Sequence, residues 1–352
     1  MQYIASLKVG QNDVKALHNL DAARKRDFCP LLTFIGNQRH LTNFLTTWGA
    51  FPYMMDVSRA ISDVSSGVIH DEDLHNPTGN FSNKRAWLET VKEQNDNLVP
   101  VVSWSESDGT RETVQLAIAL ERDYETVAIR AKCPREVIGP QLRRVESILD
   151  AVSDPSKFIV VLDFVDQEPS TSTGSNLERT LDMLYQYSIG SVCLLSSSFP
   201  TQKPPSGSTA TAICREIIWQ LEAKDLSHSL DLIYGDYAGF SPTAATEYIA
   251  GMAVIPFASY YTPNEWWLKR LGRDKEFENY VALAREILDL PGYHGDGFCW
   301  ATSEYSRIAR TGEQYGNNGV WNGFRANQHI CATLLYLNYV AEDDELSIDD
   351  LI

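Results

Sequence analysis

Cysteine is sparse and scattered in this chain. The six residues, Cys29, Cys133, Cys193, Cys214, Cys299 and Cys331, form no C-x-x-C pair and have no nearby histidine at zinc spacing. That excludes a disulfide framework and a cysteine-based zinc site, leaving reduced core residues as the expectation. No apolar run approaches the ~18 residues of a membrane span, and Met1-Gln2-Tyr3 opens without the basic and apolar regions of a signal peptide. A cytoplasmic protein with no membrane partner is expected. Neither the G-x-G-x-x-G fingerprint, the G-x-x-x-x-G-K-[ST] loop nor a G-x-S-x-G elbow occurs, which argues against a dinucleotide fold, a P-loop and serine hydrolysis. Positive charge is also short: 30 Lys and Arg face 47 Asp and Glu, for a net charge of −17. Six of those charges sit in the tail 341–352, and the acidic body that remains repels phosphate backbones. Non-specific nucleic-acid binding is thereby disfavoured, while a local basic pocket is not.

What the chain has is a regular alternation. In 352 residues with 43% apolar content there is material for a large core. The organising stretch is Ser156 to Asp166, SKFIVVLDFVD, where an apolar run ends in Asp163 and turn chemistry follows at Glu168-Pro169-Ser170. A strand buried on both faces reads this way, and such strands occur mainly in parallel sheets covered by helices. Further strands are read at Tyr3–Val9, Pro30–Ile35, Pro52–Val57, Val99–Trp104, Thr126–Lys132, Ser191–Ser196 and Leu232–Tyr237, all but the last followed in turn by a helical stripe such as Leu41, Phe44, Leu45 and Trp48. Eight strand–helix alternations predict an α/β fold, a single TIM-like (β/α)8 barrel, with a doubly wound open sheet as the alternative. The barrel body spans residues 1–237. A long aromatic-rich insertion after strand eight, 238–325, is expected over the carboxyl-end mouth. A closing helix (326–340, its apolar part Gln328 to Val340) and the acidic tail complete the chain. The insertion holds Trp266, Trp267, Trp300 and Trp321. The first two read as its small core, and the glycine-rich Gly312 to Gly323 reads as a lid.

Four stretches carry a resemblance that periodicity does not: Tyr3-Ile4-Ala5-Ser6-Leu7-Lys8, Pro30-Leu31-Leu32, Tyr260 to Trp267 (YYTPNEWW), and Trp321, Arg325 and His329-Ile330 in the late part. Together they resemble the phage beta-protein family over nearly the full length. The late family pattern carries paired histidines, whereas Gln328 precedes His329 here. The resemblance implies a barrel-like fold and a setting in phage–host conflict, including antiviral defence, and no particular reaction.

Polar residues gather where the strands should end. Asp56, Asp163 and Asp236 come from three strands, and convergent carboxylates without soft ligands suit Mg²⁺ or Mn²⁺. Asp163 and Glu106, with His329 as acid or base, are the candidate catalytic groups. Lys8, Arg130 and Lys132, joined by Trp300, Trp321 and Arg325 from the insertion, are the candidate ligand contacts. His294 and the run Ser196-Ser197-Ser198 are weaker signals. Two functions follow from this set. One is a metal-assisted enzyme acting on a phosphorylated or nucleotide-like small molecule. The other is a non-catalytic binding or sensor module that uses the aromatic insertion to contact a partner protein or a small anionic ligand. A purely structural salt-bridge network among the acids and bases competes with both.

Overall fold

The computed structural model describes residues 1–65, 67–133, 139–226, 230–243, 253–263 and 265–345, with side chains through 338. Strand β1 (Tyr3–Lys8) leads into α1 (Gln11–His18) and α2 (Ala22–Asp27), and β2 (Phe28–Phe34) into α3 (Gln38–Trp48). Strand β3 (Tyr53–Val57) is followed by α4 (Ile61–Val64), α5 (Gly67–Asp71) and α6 (Thr78–Gln94), β4 (Leu98–Val102) by α7 (Thr110–Asp123), and β5 (Val127–Lys132) by α8 (Gly139–Leu149). Strand β6 (Phe158–Val165) precedes α9 (Asn176–Gln186), β7 (Ser191–Ser196) precedes a short β8 (Thr209–Ile213) and α10 (Arg215–Lys224), and β9 is Leu232–Asp236. The barrel closes in the order β1-β2-β3-β4-β5-β6-β7-β9, all parallel, with Tyr3 to Ala5 registered against Tyr234 to Asp236 at the seam. The eight strands read from apolar runs are the eight strands of the barrel.

Alternation along each strand divides the core in two. Ile4, Leu31, Met54, Val101, Ile159, Val161, Leu195 and Ile233 fill the barrel interior. Their neighbours, such as Tyr3, Leu32, Met55, Val160 and Leu194, face the helices and join the larger outer core. The stripe Leu41, Phe44, Leu45 and Trp48 of α3 is fully buried in that outer layer. Each such large side chain contributes roughly 1.5–3 kcal/mol on leaving water. All six cysteines are buried and none is in a disulfide. Among the described residues no helix is long and apolar enough to cross a membrane.

The C-terminal part departs from the sequence reading in three places. Strand β8, TATAI, was hidden behind a Pro/Gly/Ser loop. It pairs with a hairpin of the insertion, β10 (Phe257–Thr262) and β11 (Glu265–Arg270), giving an antiparallel sheet ordered β10-β11-β8. After α11 (Asn279–Leu288) and α12 (Trp300–Thr311), the last helix α13 (Asn318–Glu345) starts ten residues before Gln328, inside the stretch read as a lid. Gly312 is the left-handed cap of α12, and Trp321 lies on α13 with 3% of its surface exposed, stacked on Tyr280 at 4.3 Å. The segment is therefore anchored by its tryptophan. The acidic tail continues α13 as far as Glu345, and 346–352 lie outside the described residues.

Three consecutive buried side chains dock α13, because successive residues of a helix point about 100° apart. Asn327 accepts from the Ala301 N–H at 3.2 Å and donates to the Ala16 carbonyl at 3.0 Å. Gln328 accepts from the Tyr261 N–H at 3.1 Å and donates to the Tyr261 carbonyl at 2.8 Å, serving as the missing neighbour of β10. His329 reaches Asp236 on the outer face of β9 at 2.7 Å. Gln328 makes both bonds at once because an amide carries a donor and an acceptor, which one imidazole nitrogen cannot.

Candidate functional site at the carboxyl end of the barrel

The inward positions at the strand ends are polar: Ser6 and Lys8 on β1, Thr33 on β2, Asp56 on β3, Ser103 after β4, Arg130 and Lys132 on β5, Asp163 on β6 and Tyr237 after β9. The structure joins most of them into one buried network around Arg130. The Asp163 Oδ2 accepts from the Arg130 Nε at 3.0 Å and from Nη2 at 2.8 Å, while Oδ1 accepts from the Tyr237 hydroxyl at 2.6 Å and the Val165 N–H at 3.0 Å. Arg130 also meets the Ser6 hydroxyl at 3.2 Å and stands 3.6 Å from Asp56. Asp56 in turn accepts from Ser103 at 2.6 Å and from the Val57 N–H at 2.8 Å. A bulge in β6 makes this possible. Val165 adopts φ +64°, a rare and strained conformation for a β-branched residue, and so turns its N–H onto Asp163.

The electrostatics follow from burial and pairing. Burial works to raise the Asp56 pKa, but Lys84, Arg130, the Ser103 hydroxyl and the Val57 N–H outweigh it and hold the carboxyl below its usual range. Lys84, buried on α6 and donating to the Val101 carbonyl at 3.1 Å, is pushed down to about 8, chiefly by desolvation. Burial lowers the Arg130 pKa, yet Asp163, Tyr237 and Asp56 raise it further than burial lowers it.

The candidates read from sequence fall into three groups. Asp56, Arg130 and Asp163 come together, with Lys8 and Lys132 exposed above them and in no ion pair among the described residues. Glu106 is exposed on the loop after β4, outside the network. Asp236 points the other way, because the inward neighbour on its strand is Tyr237. Its carboxylate accepts from Tyr3 at 2.5 Å, Tyr234 at 3.0 Å and the Ala238 N–H at 2.8 Å, and meets His329, all between barrel and α13. His329 has no exposed surface and stacks on Trp266 at 4.9 Å, so neither it nor Asp236 reaches the mouth. Among the described residues no three His, Cys, Asp or Glu side chains gather as a metal cluster. Asp56, Asp163 and Asp236 therefore do not form the carboxylate set that Mg²⁺ or Mn²⁺ was expected to need.

The insertion supplies packing as well as contacts. Trp300 is half-buried against Phe324 at 4.9 Å, with the Lys15 ammonium 5.2 Å above its ring. The Tyr260 hydroxyl bonds His294 at 2.6 Å, and Ser197 donates to the Phe240 carbonyl at 2.9 Å, so these polar groups hold loops. Arg325 alone of the insertion candidates lies against loops of the carboxyl end, between Phe199 after β7 and Phe240 after β9. Gly239 makes room for it. At φ +76° an added Cβ would stand 2.5 Å from Trp266 and 3.2 Å from Arg325. Gly239→Ala is expected to destabilise the protein by about 1–3 kcal/mol in a urea titration, through strain and clash together.

Tyr237, Ser103, Thr33, Lys84 and Asp13 escaped the sequence reading. Strand parity would have given Tyr237, since it shares a face with Ile233 and Gly235, but nothing local marks Lys84 or Asp13. The Asp13 carboxyl, half-buried on α1, is pushed up to about 7 by desolvation, against the pull of Lys8 and Arg325. A raised carboxyl pKa favours folding below the unfolded value near 4 and withdraws that contribution as pH rises through 7. Asp13→Asn should therefore gain on the wild type between about pH 4 and 7. The gain should reach on the order of 1–2 kcal/mol, less than the full shift because the side chain is only partly buried. Melting both proteins across that range checks the sign.

Fold and site together define a TIM-like barrel protein with a self-neutralised charge network under its carboxyl end and an aromatic C-terminal unit joined to the loops there. The chain belongs to the Beta protein family, whose model matches residues 3–334. It is 23% identical over 349 residues to "Protein beta" of Enterobacteria phage P4, an alignment covering 93% of this chain and 91% of the relative. No solved structure matches it significantly.

Proposed function

We propose that this protein is a binding barrel for a small anionic molecule, in which the C-terminal aromatic unit and the exposed rim lysines Lys8 and Lys132 serve capture rather than metal-assisted catalysis. The observation that carries the reading is the closed state of the acids. Both oxygens of Asp163 are already acceptors of two hydrogen bonds each, and Asp56 is committed to Ser103, Val57 and Arg130. Carboxylates so occupied support a cation; of their four oxygens only the Asp56 Oδ2 accepts no hydrogen bond, and it faces Arg130 at 3.6 Å. The rim, by contrast, offers two exposed lysines in no ion pair among the described residues, in a chain of net charge −17. The relative from phage P4 supports a setting in phage or phage-derived elements.

Thermal melting tests the choice. Nucleotides and sugar phosphates should raise the melting temperature of the wild type, and Lys8→Ala with Lys132→Ala should reduce that gain without changing the stability of the unliganded protein. Mg²⁺ or Mn²⁺ alone should leave it unchanged. A metal-dependent rise that disappears in Asp163→Asn would reinstate the enzyme reading.

A further inference from the structure

Arg325 is a buried arginine whose acid neighbour, Asp13, acts on it from beyond ion-pair distance. It keeps 6% of its surface and takes part in no ion pair among the described residues. Its guanidinium carbon lies 4.7 Å from the Phe199 ring, 4.6 Å from Phe240 and 6.0 Å from Phe257. One Nη2–H reaches the Asn322 Oδ1 at 2.9 Å, and Nε is buried with no partner. Desolvation pulls its pKa down to about 10. Two more cations stand close by. The Lys203 ammonium sits 5.0 Å from the Phe257 centroid, and Arg270, which ends β11, has its own Nε buried and unpartnered. Lys203 is exposed overall, yet its ammonium is held below the usual lysine range, first by lost hydration and then by Arg325 and Arg270. Neither Lys203 nor Arg270 is in an ion pair among the described residues.

Three like charges within electrostatic reach of one another are unfavourable unless an anion joins them, the more so where one is stripped of water. Aromatic rings hold a guanidinium by its face and leave its edge N–H groups to donate in plane, the geometry in which arginine takes phosphate oxygens. We propose that Arg325, Lys203 and Arg270 form the phosphate subsite of the ligand, beside the loops after β7 and β9. This deepens the binding-barrel reading and rests on it. A dianionic phosphate suits three cations better than a single carboxylate does.

Inorganic phosphate and pyrophosphate, titrated at constant ionic strength against the full chain by calorimetry and melting, test the site. At a hundredfold excess over the dissociation constant the melting temperature should rise by about 4 °C. Lys203→Ala and Arg270→Ala lie at the edge of the cluster and should fold as the wild type does. Each should bind phosphate at least tenfold more weakly. A nucleotide that binds through Lys8 and Lys132, with affinity untouched by Lys203→Ala and Arg270→Ala, would overturn the subsite and leave the barrel reading standing. Absence of binding by any of these anions would overturn both. If Arg325 is only a staple between rings, Arg325→Lys should lower stability while phosphate has no effect on either protein, and the proposal fails.

Discussion

Asp163→Ala is expected to cost about 3–5 kcal/mol of folding stability, because it leaves Arg130 charged, buried and without its closest counter-ion. Asp163 has no exposed surface and Arg130 only 6%. Removing the carboxylate also strands the Tyr237 hydroxyl and the Val165 N–H, which bond it at 2.6 and 3.0 Å. Asp56 replaces only part of the lost pairing, since its Oδ2 stands 3.6 Å from Arg130 while its Oδ1 is anchored by Ser103 and Val57. Urea midpoints measure the loss. The pair has a second property that separates it from a catalytic dyad: its desolvation penalty is shared, so replacing both partners should cost less than replacing one. Asp163→Leu with Arg130→Met is expected to recover at least half of the single-variant loss, with phosphate affinity unchanged. A single variant within about 1 kcal/mol of wild type would mean that water reaches Arg130 and that the floor of the mouth is open.

The barrel was legible because its signal is local. Each strand is a short apolar run bounded by turn residues, and each helix shows its own stripe; closure then follows from handedness and count. The site was not legible in the same way, because it depends on parity and on partners far apart in sequence. Asp236 and Tyr237 are adjacent at the end of β9, and a shift of one residue in reading the inward face exchanges them. The apolar run marks the strand without its parity, and an acid at its end reads as a site residue where a tyrosine does not. Arg130 and Asp163 are legible from sequence, since each interrupts the inward face of an otherwise apolar strand. Their bond across neighbouring strands, with register Lys132 to Asp163, needed the pairing itself. Strand β8 failed for another reason. Its exposed Thr-Ala-Thr-Ala-Ile run has no buried face of its own until β11 pairs with it, so no apolar period marks it. Helix α13 begins early because Asn317 and Asn318 start it and Trp321 anchors it, whereas glycines at 316, 319 and 323 suggested a flexible stretch. Two of those glycines lie against Asn12 on α1, where a Cβ would meet side chain or backbone at 2.7 to 3.0 Å. They mark close helix contact rather than flexibility.

Asp236 carries the converse prediction, a large loss of stability with no change in binding. Its carboxylate gathers four donors from three elements: Tyr3 on β1, Tyr234 and the Ala238 N–H around β9, and the Nε2 of His329 on α13. With Nε2 donating, the other imidazole nitrogen is the acceptor, and it has no partner among the described groups. The ring is instead packed face to face on Trp266 and edge-on to Tyr261 at 4.4 Å. Asp236→Ala orphans all four donors in a layer without exposed surface and should cost about 3–5 kcal/mol, while Asp236→Asn, which keeps one acceptor oxygen, should cost roughly half of that. Because Asp236 faces α13 and not the barrel interior, phosphate and nucleotide affinities of the Asn variant should match wild type. Affinity lost in Asp236→Asn at unchanged stability would place this carboxylate in the ligand site. The expected pattern instead makes it the joint by which α13, and with it Arg325, is held against the barrel.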